Sequence, residues 1–206
     1  MKAEKAVLYV HGKGGNASEA DYYKKIFSRC DVTGFDYRLS MPWESIDEFK
    51  AEAKRLLTEY DSVILVANSI GAYFSMLSLA DMPIERAYFI SPIANMEKLI
   101  CDMMQWSGVT EEELQARGLI PTEFGEDLSW DYLTWVRRHP ISWHIPTEIL
   151  YGSDDNLQSL ATIRAFADVS GAGLTVMEHG EHWFHTEEQL RFLSEWLVRC
   201  EQNNGC

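Results

Sequence analysis

A strand that breaks into a helix at a serine constrains this chain more than any other feature. Residues 62–66, Ser-Val-Ile-Leu-Val, are a near-continuous apolar run with the length of a buried strand. Ile70, Tyr73, Phe74 and Leu77 then repeat at helical spacing. Between the two lies Ala67-Asn68-Ser69-Ile70-Gly71, with a small residue two places to either side of the serine. Such a turn, a nucleophile elbow, strains the serine backbone and leaves no room for bulk at those second positions, so alanine and glycine fit there. The hydroxyl then stands above the sheet edge, beside the positive end of the following helix. The five residues alone are a weak signal; the strand before them and the helix after them give it weight.

The rest of the chain repeats this alternation. Apolar runs predict strands at 6–10, 31–37, 62–67, 86–90, 148–151 and 174–178. Helical patterns fall between them: 19–29 behind Ser18, a helix to about residue 60 behind a Ser45/Glu48 capping box, 70–81, 160–169, and a last helix behind Thr186 and Gln189. This order predicts an α/β fold: a doubly wound, mostly parallel sheet of about six strands with helices on both faces. Residues 95–144 interrupt it. They are helical in pattern and lack a strand, with Thr110/Glu113 opening one helix that Gly118 stops and 130–138 forming another before Pro140. Four of the seven tryptophans, Trp106, Trp130, Trp135 and Trp143, lie in this stretch. The expectation is a core of residues 1–94 and 145–206 with an inserted helical cap, 95–144.

Ligands of such sheets bind beyond the carboxyl ends of the strands, and the chemistry-bearing residues fall there. Acyl transfer at a serine needs a base, a group to orient the base, and donors for the oxyanion. After the first strand comes His11-Gly12-Lys13-Gly14-Gly15, whose glycines let the backbone approach a ligand; the backbone N–H groups of Lys13 and Ile70 are the candidate oxyanion donors. This segment lacks the spacing of a P-loop or a dinucleotide-binding turn, and His11 is read as ordering the loop. After the strand at 148–151, Gly152-Ser153-Asp154-Asp155 offers two acids. Asp155 would point along the rim to orient an imidazole, while its rival Asp154 would bond the turn backbone. The last strand is followed by three histidines, His179, His182 and His185. His182, past Gly180 and in mid-loop, is the candidate base; His179 is expected to be buried near the strand end and His185 to be a surface or capping residue. Trp106, Trp135 and Trp183 are the candidates for lining an apolar substrate pocket.

Composition narrows the field. A net charge of −14 argues against nucleic acid and anionic membranes as partners. No run of eighteen apolar residues predicts a membrane span, and the amino terminus has no apolar signal core, so a cytoplasmic location is expected. The cysteines, Cys30, Cys101, Cys200 and Cys206, have no metal-like spacing and read as free thiols, with Cys206 open to oxidation between molecules. No metal site and no cofactor are expected.

The His-Gly loop, the elbow, the Gly-x-x-Asp turn and the final histidine loop together resemble the α/β-hydrolase superfamily over nearly the whole chain. The resemblance implies Ser69 as nucleophile, Asp155 as acid, His182 as base, Lys13 and Ile70 as oxyanion donors, and residues 95–144 as the lid. Ala67 stands where glycine is commoner, and Glu181 precedes the histidine where a small residue is usual. The implied activity is that of a serine hydrolase, a carboxylesterase acting on a small-molecule acyl substrate. Alternatives are a thioesterase, a small-peptide hydrolase, or a non-catalytic ligand-binding protein on the same scaffold. A free imidazole titrates near pH ~6.5, so kcat/KM is expected to fall as pH drops through roughly 6–7.

Overall fold

The computed structural model describes residues 3–38 and 41–203; Cys206 lies outside them. The chain divides into two compact units, Met1–Ala94 with Ser142–Cys206, and Asn95–Ile141.

The first unit is built on a six-stranded sheet. Its strands are β1 (Ala3–Val10), β2 (Asp31–Phe35), β3 (Tyr60–Asn68) and β4 (Arg86–Ile90). After the insertion come two further strands, Thr147–Gly152 and Gly173–Met177. All neighbours are parallel. The order is β2-β1-β3-β4, then Thr147–Gly152, then Gly173–Met177. Strand order therefore reverses about β1, which has β2 on one side and β3 on the other. Central strands read as unbroken apolar runs because both faces are covered: Val63 to Ala67 are completely buried.

Side-chain alternation assigns the faces. Val7 and Tyr9 of β1, Ile64 and Val66 of β3, and Tyr88 of β4 pack with Tyr23, Phe27, Leu193, Trp196 and Leu197. These last residues come from α1 (Ala20–Tyr23), the turns after it, and the terminal helix Glu187–Asn203. Val10 faces the other way, towards α3 (Ile70–Leu79). There α2 (Pro42–Glu59) brings Phe49 against Phe74, ring centroids 6.1 Å apart. The remaining helix of this unit, Leu160–Ser170, is opened by Ser159 and closed by Gly171.

Two helix starts differ from expectation. The helix expected at 19–29 shrinks to a 3₁₀ turn, Ala17–Glu19, followed by α1 and tight turns up to Cys30. Its cap is Asn16, not Ser18: Asn16 accepts from Ser18 N, and Glu19 completes the capping box. Helix α2 starts three residues before the Ser45/Glu48 box. Pro42 suits a first helical position because its missing N–H would be unsatisfied there anyway, and buried Ser45 bonds back to the Pro42 carbonyl at 3.0 Å.

The second unit holds α4 (Met96–Trp106), α5 (Glu111–Arg117), β5 (Leu119–Pro121), β6 (Asp127–Ser129) and α6 (Trp130–Arg138). The Thr110/Glu113 box opens α5, and Gly118 at φ 73° ends it. Strands were not expected here, but β5 and β6 pair antiparallel. Each is three residues long, too short to show a period of two in the sequence. Arg137 joins the unit's helices by binding Glu97 at 2.7 Å and Glu111 at 2.6 Å. Trp143 falls in the first unit instead, because it packs against Phe89 with the rings tilted and centroids 5.5 Å apart, and donates to Thr147 Oγ1 at 2.7 Å. The last two strands of the sheet, Thr147–Gly152 and Gly173–Met177, are β7 and β8, flanked by α7 (Leu160–Ser170) and α8 (Glu187–Asn203).

Candidate active site

Ser69 caps α3 with φ 51° and ψ −123°, a backbone state that side chains rarely adopt. Three bonds hold it there. Its N–H donates to the Ile90 carbonyl at 3.0 Å, and its own carbonyl accepts from Ala72 and Ile93, each at 3.1 Å. The turn closes only because residue 71 is glycine: a Cβ there would lie 2.3 Å from the His11 carbonyl oxygen. Sequence and strain agree in the way an elbow demands.

The acid turn and the histidine loop are bound to each other before either reaches Ser69. Ser153 N donates to Met177 O at 2.9 Å, Asp154 N to Gly180 O at 2.8 Å, and His179 N to Ser153 Oγ at 2.7 Å. Gly152 permits this, since a Cβ on it would stand 2.3 Å from the Gly180 oxygen. Asp155 is thereby set with its side chain fully buried. Its Oδ1 accepts from the N–H groups of Leu157 at 2.8 Å and Gln158 at 3.1 Å. Its Oδ2 lies 2.7 Å from His182 Nδ1, and His182 Nε2 lies 2.8 Å from Ser69 Oγ. Three side chains from three strand ends thus form one continuous row of hydrogen bonds. The carboxylate at its end can only accept, so the proton sits on Nδ1 and Nε2 faces the serine hydroxyl as acceptor.

The rival residues lie elsewhere. Asp154 is exposed, accepts from Ser153 Oγ, and stands 3.7 Å from His179 Nδ1. His179, expected to be buried, is 90% exposed because it turns outward at φ 58°. His185 stacks on Trp183 and lies 3.4 Å from Glu181, and its N–H is capped by Gln189. Glu181 reaches His185 and Gln189 from its place beside His182. His11 is buried, stacked on Tyr37 at 4.6 Å, and holds Gly12 O through Nδ1 at 2.7 Å.

A cavity of about 700 Å³ opens against Ser69 and His182, with Gly12 to Gly15 on one side. Trp183 lines its mouth and is largely exposed. Trp106 and Trp135 belong to the second unit, where Trp106 meets Phe124 edge-on and Trp135 stacks on His139. The sequence reading missed Tyr9, Glu19, Tyr22, Tyr23 and Asn68, all of which line the cavity. Their signal was there: Asn68 adjoins the serine, and two consecutive tyrosines follow the glycine loop. Among the described residues no cluster of His, Cys, Asp or Glu is arranged to hold a metal ion. Among the described residues no disulfide joins Cys30, Cys101 and Cys200, and burial pushes the Cys200 thiol up to about 11. No helix among the described residues is long and apolar enough to cross a membrane.

No family model matches the sequence, and no curated protein matches it. Solved structures do match. Est1E from Butyrivibrio proteoclasticus superposes with a TM-score of 0.75 at 14% identity, over 98% of this chain and 88% of that one. Alpha/beta hydrolase domain-containing protein 10 from mouse gives 0.73 at 14% identity, over 97% and 90%. An esterase from Pyrococcus furiosus gives 0.66 at 17% identity, over 97% and 81%. The chain has the α/β-hydrolase fold.

Proposed function

We propose that this protein is a serine hydrolase that cleaves a small carboxylic ester or related acyl compound. The observation that carries this reading is the unbroken row from Ser69 Oγ through His182 to Asp155, with links of 2.8 and 2.7 Å. Solved structures named as hydrolases and esterases share the fold, and Est1E is seen with ferulic acid bound, a carboxylic acid of the kind an acyl-enzyme releases.

The reaction runs in two halves. Ser69 Oγ attacks the carbonyl carbon while its proton passes to His182 Nε2. Asp155 keeps the ring oriented and stabilises the imidazolium. The backbone N–H groups of Ile70, at the start of α3, and of Lys13 donate to the oxyanion. The bond to the leaving group breaks as His182 returns the proton to it. Water then gives a proton to His182 as it attacks the acyl carbon, and His182 returns that proton to Ser69 Oγ as the acid leaves.

A fluorophosphonate probe tests the reading. Its adduct should map to Ser69 and be lost in His182→Ala. Folded wild-type protein that takes up no probe would turn the reading towards a ligand-binding protein. A panel of nitrophenyl esters and thioesters of graded acyl length then ranks the leaving groups.

A further inference from the structure

The cavity beside Ser69 has a polar floor that the acyl-transfer chemistry leaves unused. Asn68 ends β3 directly before the serine, and its Nδ2 donates to the Tyr9 hydroxyl at 3.0 Å. Tyr9 in turn donates to Glu19 Oε2, and Glu19 Oε1 accepts from Asn16 N at 3.2 Å. The carboxylate fixes the sense of this row, since it can only accept. Tyr9 therefore gives it a proton, and the phenol oxygen is left to accept from the Asn68 amide. Burial, then the neighbouring Tyr23 and Glu19, raise the Tyr9 phenol far above its ordinary range, so it stays a donor. The amide orientation follows from this network. It uses Nδ2 and leaves Asn68 Oδ1 buried with no hydrogen-bond partner. Tyr23 completes the floor, its ring 4.9 Å from Tyr9 and its hydroxyl interacting with the Asn68 side chain.

The walls above are aromatic: Tyr22, Phe184 and, at the mouth, Trp183. A flat ring fills such a space with favourable offset or edge contacts. A donor on that ring would satisfy the orphaned amide oxygen, which a small tilt about the broad terminal torsion of asparagine would turn towards the cavity while Nδ2 keeps its bond to Tyr9. Resting on the acyl-transfer reading of Ser69, we infer that the substrate carries a hydroxylated aromatic ring and that Asn68, held by Tyr9 and Glu19, determines specificity by accepting from its hydroxyl.

The test compares kcat/KM for methyl 3-phenylpropanoates bearing a meta or para hydroxyl with their O-methyl and unsubstituted counterparts. The reversed series, acetates of the matching 2-arylethanols, covers the ring on the alcohol side. In one series a hydroxylated ester should exceed both counterparts by about tenfold or more, because a site built to bond a hydroxyl rejects its analogue. Asn68→Leu should erase that preference. Tyr9→Phe should reduce it part of the way by freeing the amide to flip, and it decides the matter if Asn68→Leu does not fold. Equal rates within both series, or a preference that survives both substitutions, overturns the inference while probe labelling of Ser69 leaves the hydrolase reading standing. Failure of wild-type protein to label or to turn over any ester removes both.

Discussion

The two ends of the same parallel sheet are built on opposite terms. At the carboxyl end the backbone is strained. The three non-glycine residues with positive φ among those described are Ser69, Ser91 and His179, which follow β3, β4 and β8. Buried polar atoms are also left over there, Asn68 Oδ1 and Ser91 Oγ. At the amino end the same strands begin in paired charges. Glu85 accepts from Lys5 at 3.0 Å and also from Ser62 and Arg86. Arg86 lies 3.6 Å from Glu201, which accepts from Tyr88. The difference teaches that backbone strain gathers where chemistry is held ready, while the opposite rim is built on ion pairs, although Arg86 Nη1 is buried there without a hydrogen bond.

The largest expected effect tests whether the carboxyl end is specialised at all. In Asp155→Asn the remaining oxygen still accepts from Leu157 and Gln158, but the amide no longer fixes the tautomer of His182. Turnover of a nitrophenyl ester should fall by about 10⁴, with the melting temperature nearly unchanged. A loss below tenfold would take Asp155 out of the reaction. Gly71→Ala comes next and couples geometry to folding. Its Cβ would meet backbone, the His11 carbonyl, at 2.3 Å, and backbone cannot rotate away. Overpacking of this kind destabilises by about 1–3 kcal/mol, and shifting the elbow should also remove probe labelling. Labelling at the wild-type rate with an unchanged melting temperature would show that the turn tolerates bulk, against the strain argument.

How much of this was legible in the sequence follows the same division. The rim residues Ser69, Asp155 and His182 stand two or three residues from Gly71, Gly152 and Gly180 at strand ends, and parallel strands leave few places for such punctuation. Strand positions were legible because both-face burial leaves long apolar runs, so β4 falls at 86–90 as expected. Helix starts were less so. Ser18 and Ser45 have the chemistry of caps, but Asn16 and Pro42 sit where the incoming chain is extended, and only tertiary contacts decide between neighbours. The cavity floor was hidden for another reason. Tyr9, Tyr23 and Asn68 come from three elements, and each alone reads as ordinary core; their shared polarity exists only in three dimensions.

The smallest expected effect belongs to the amino end and needs a pH axis. Burial by itself raises a carboxyl, but the bonds from Ser62, Lys5 and Arg86 outweigh it and hold Glu85 down at about 2, below its ordinary 4.5. A folded value below the unfolded one means that the ionised group stabilises the fold above about pH 4.5. That contribution is lost as pH falls towards 2. Glu85→Gln removes the titrating group while keeping an acceptor for Ser62. At pH 7 the variant should be less stable by about 1–2 kcal/mol, a figure discounted for the partial exposure of the pair. Its stability should also decline less steeply than wild type between pH 4.5 and 2, so that the two converge in acid. Ester turnover at neutral pH should not change, since the group stands at the far rim from Ser69. Urea titrations across that range measure the first two outcomes. Parallel curves for wild type and variant would show that the amino-end pairs contribute nothing, and a fall in turnover with the fold intact would show that the two rims are coupled.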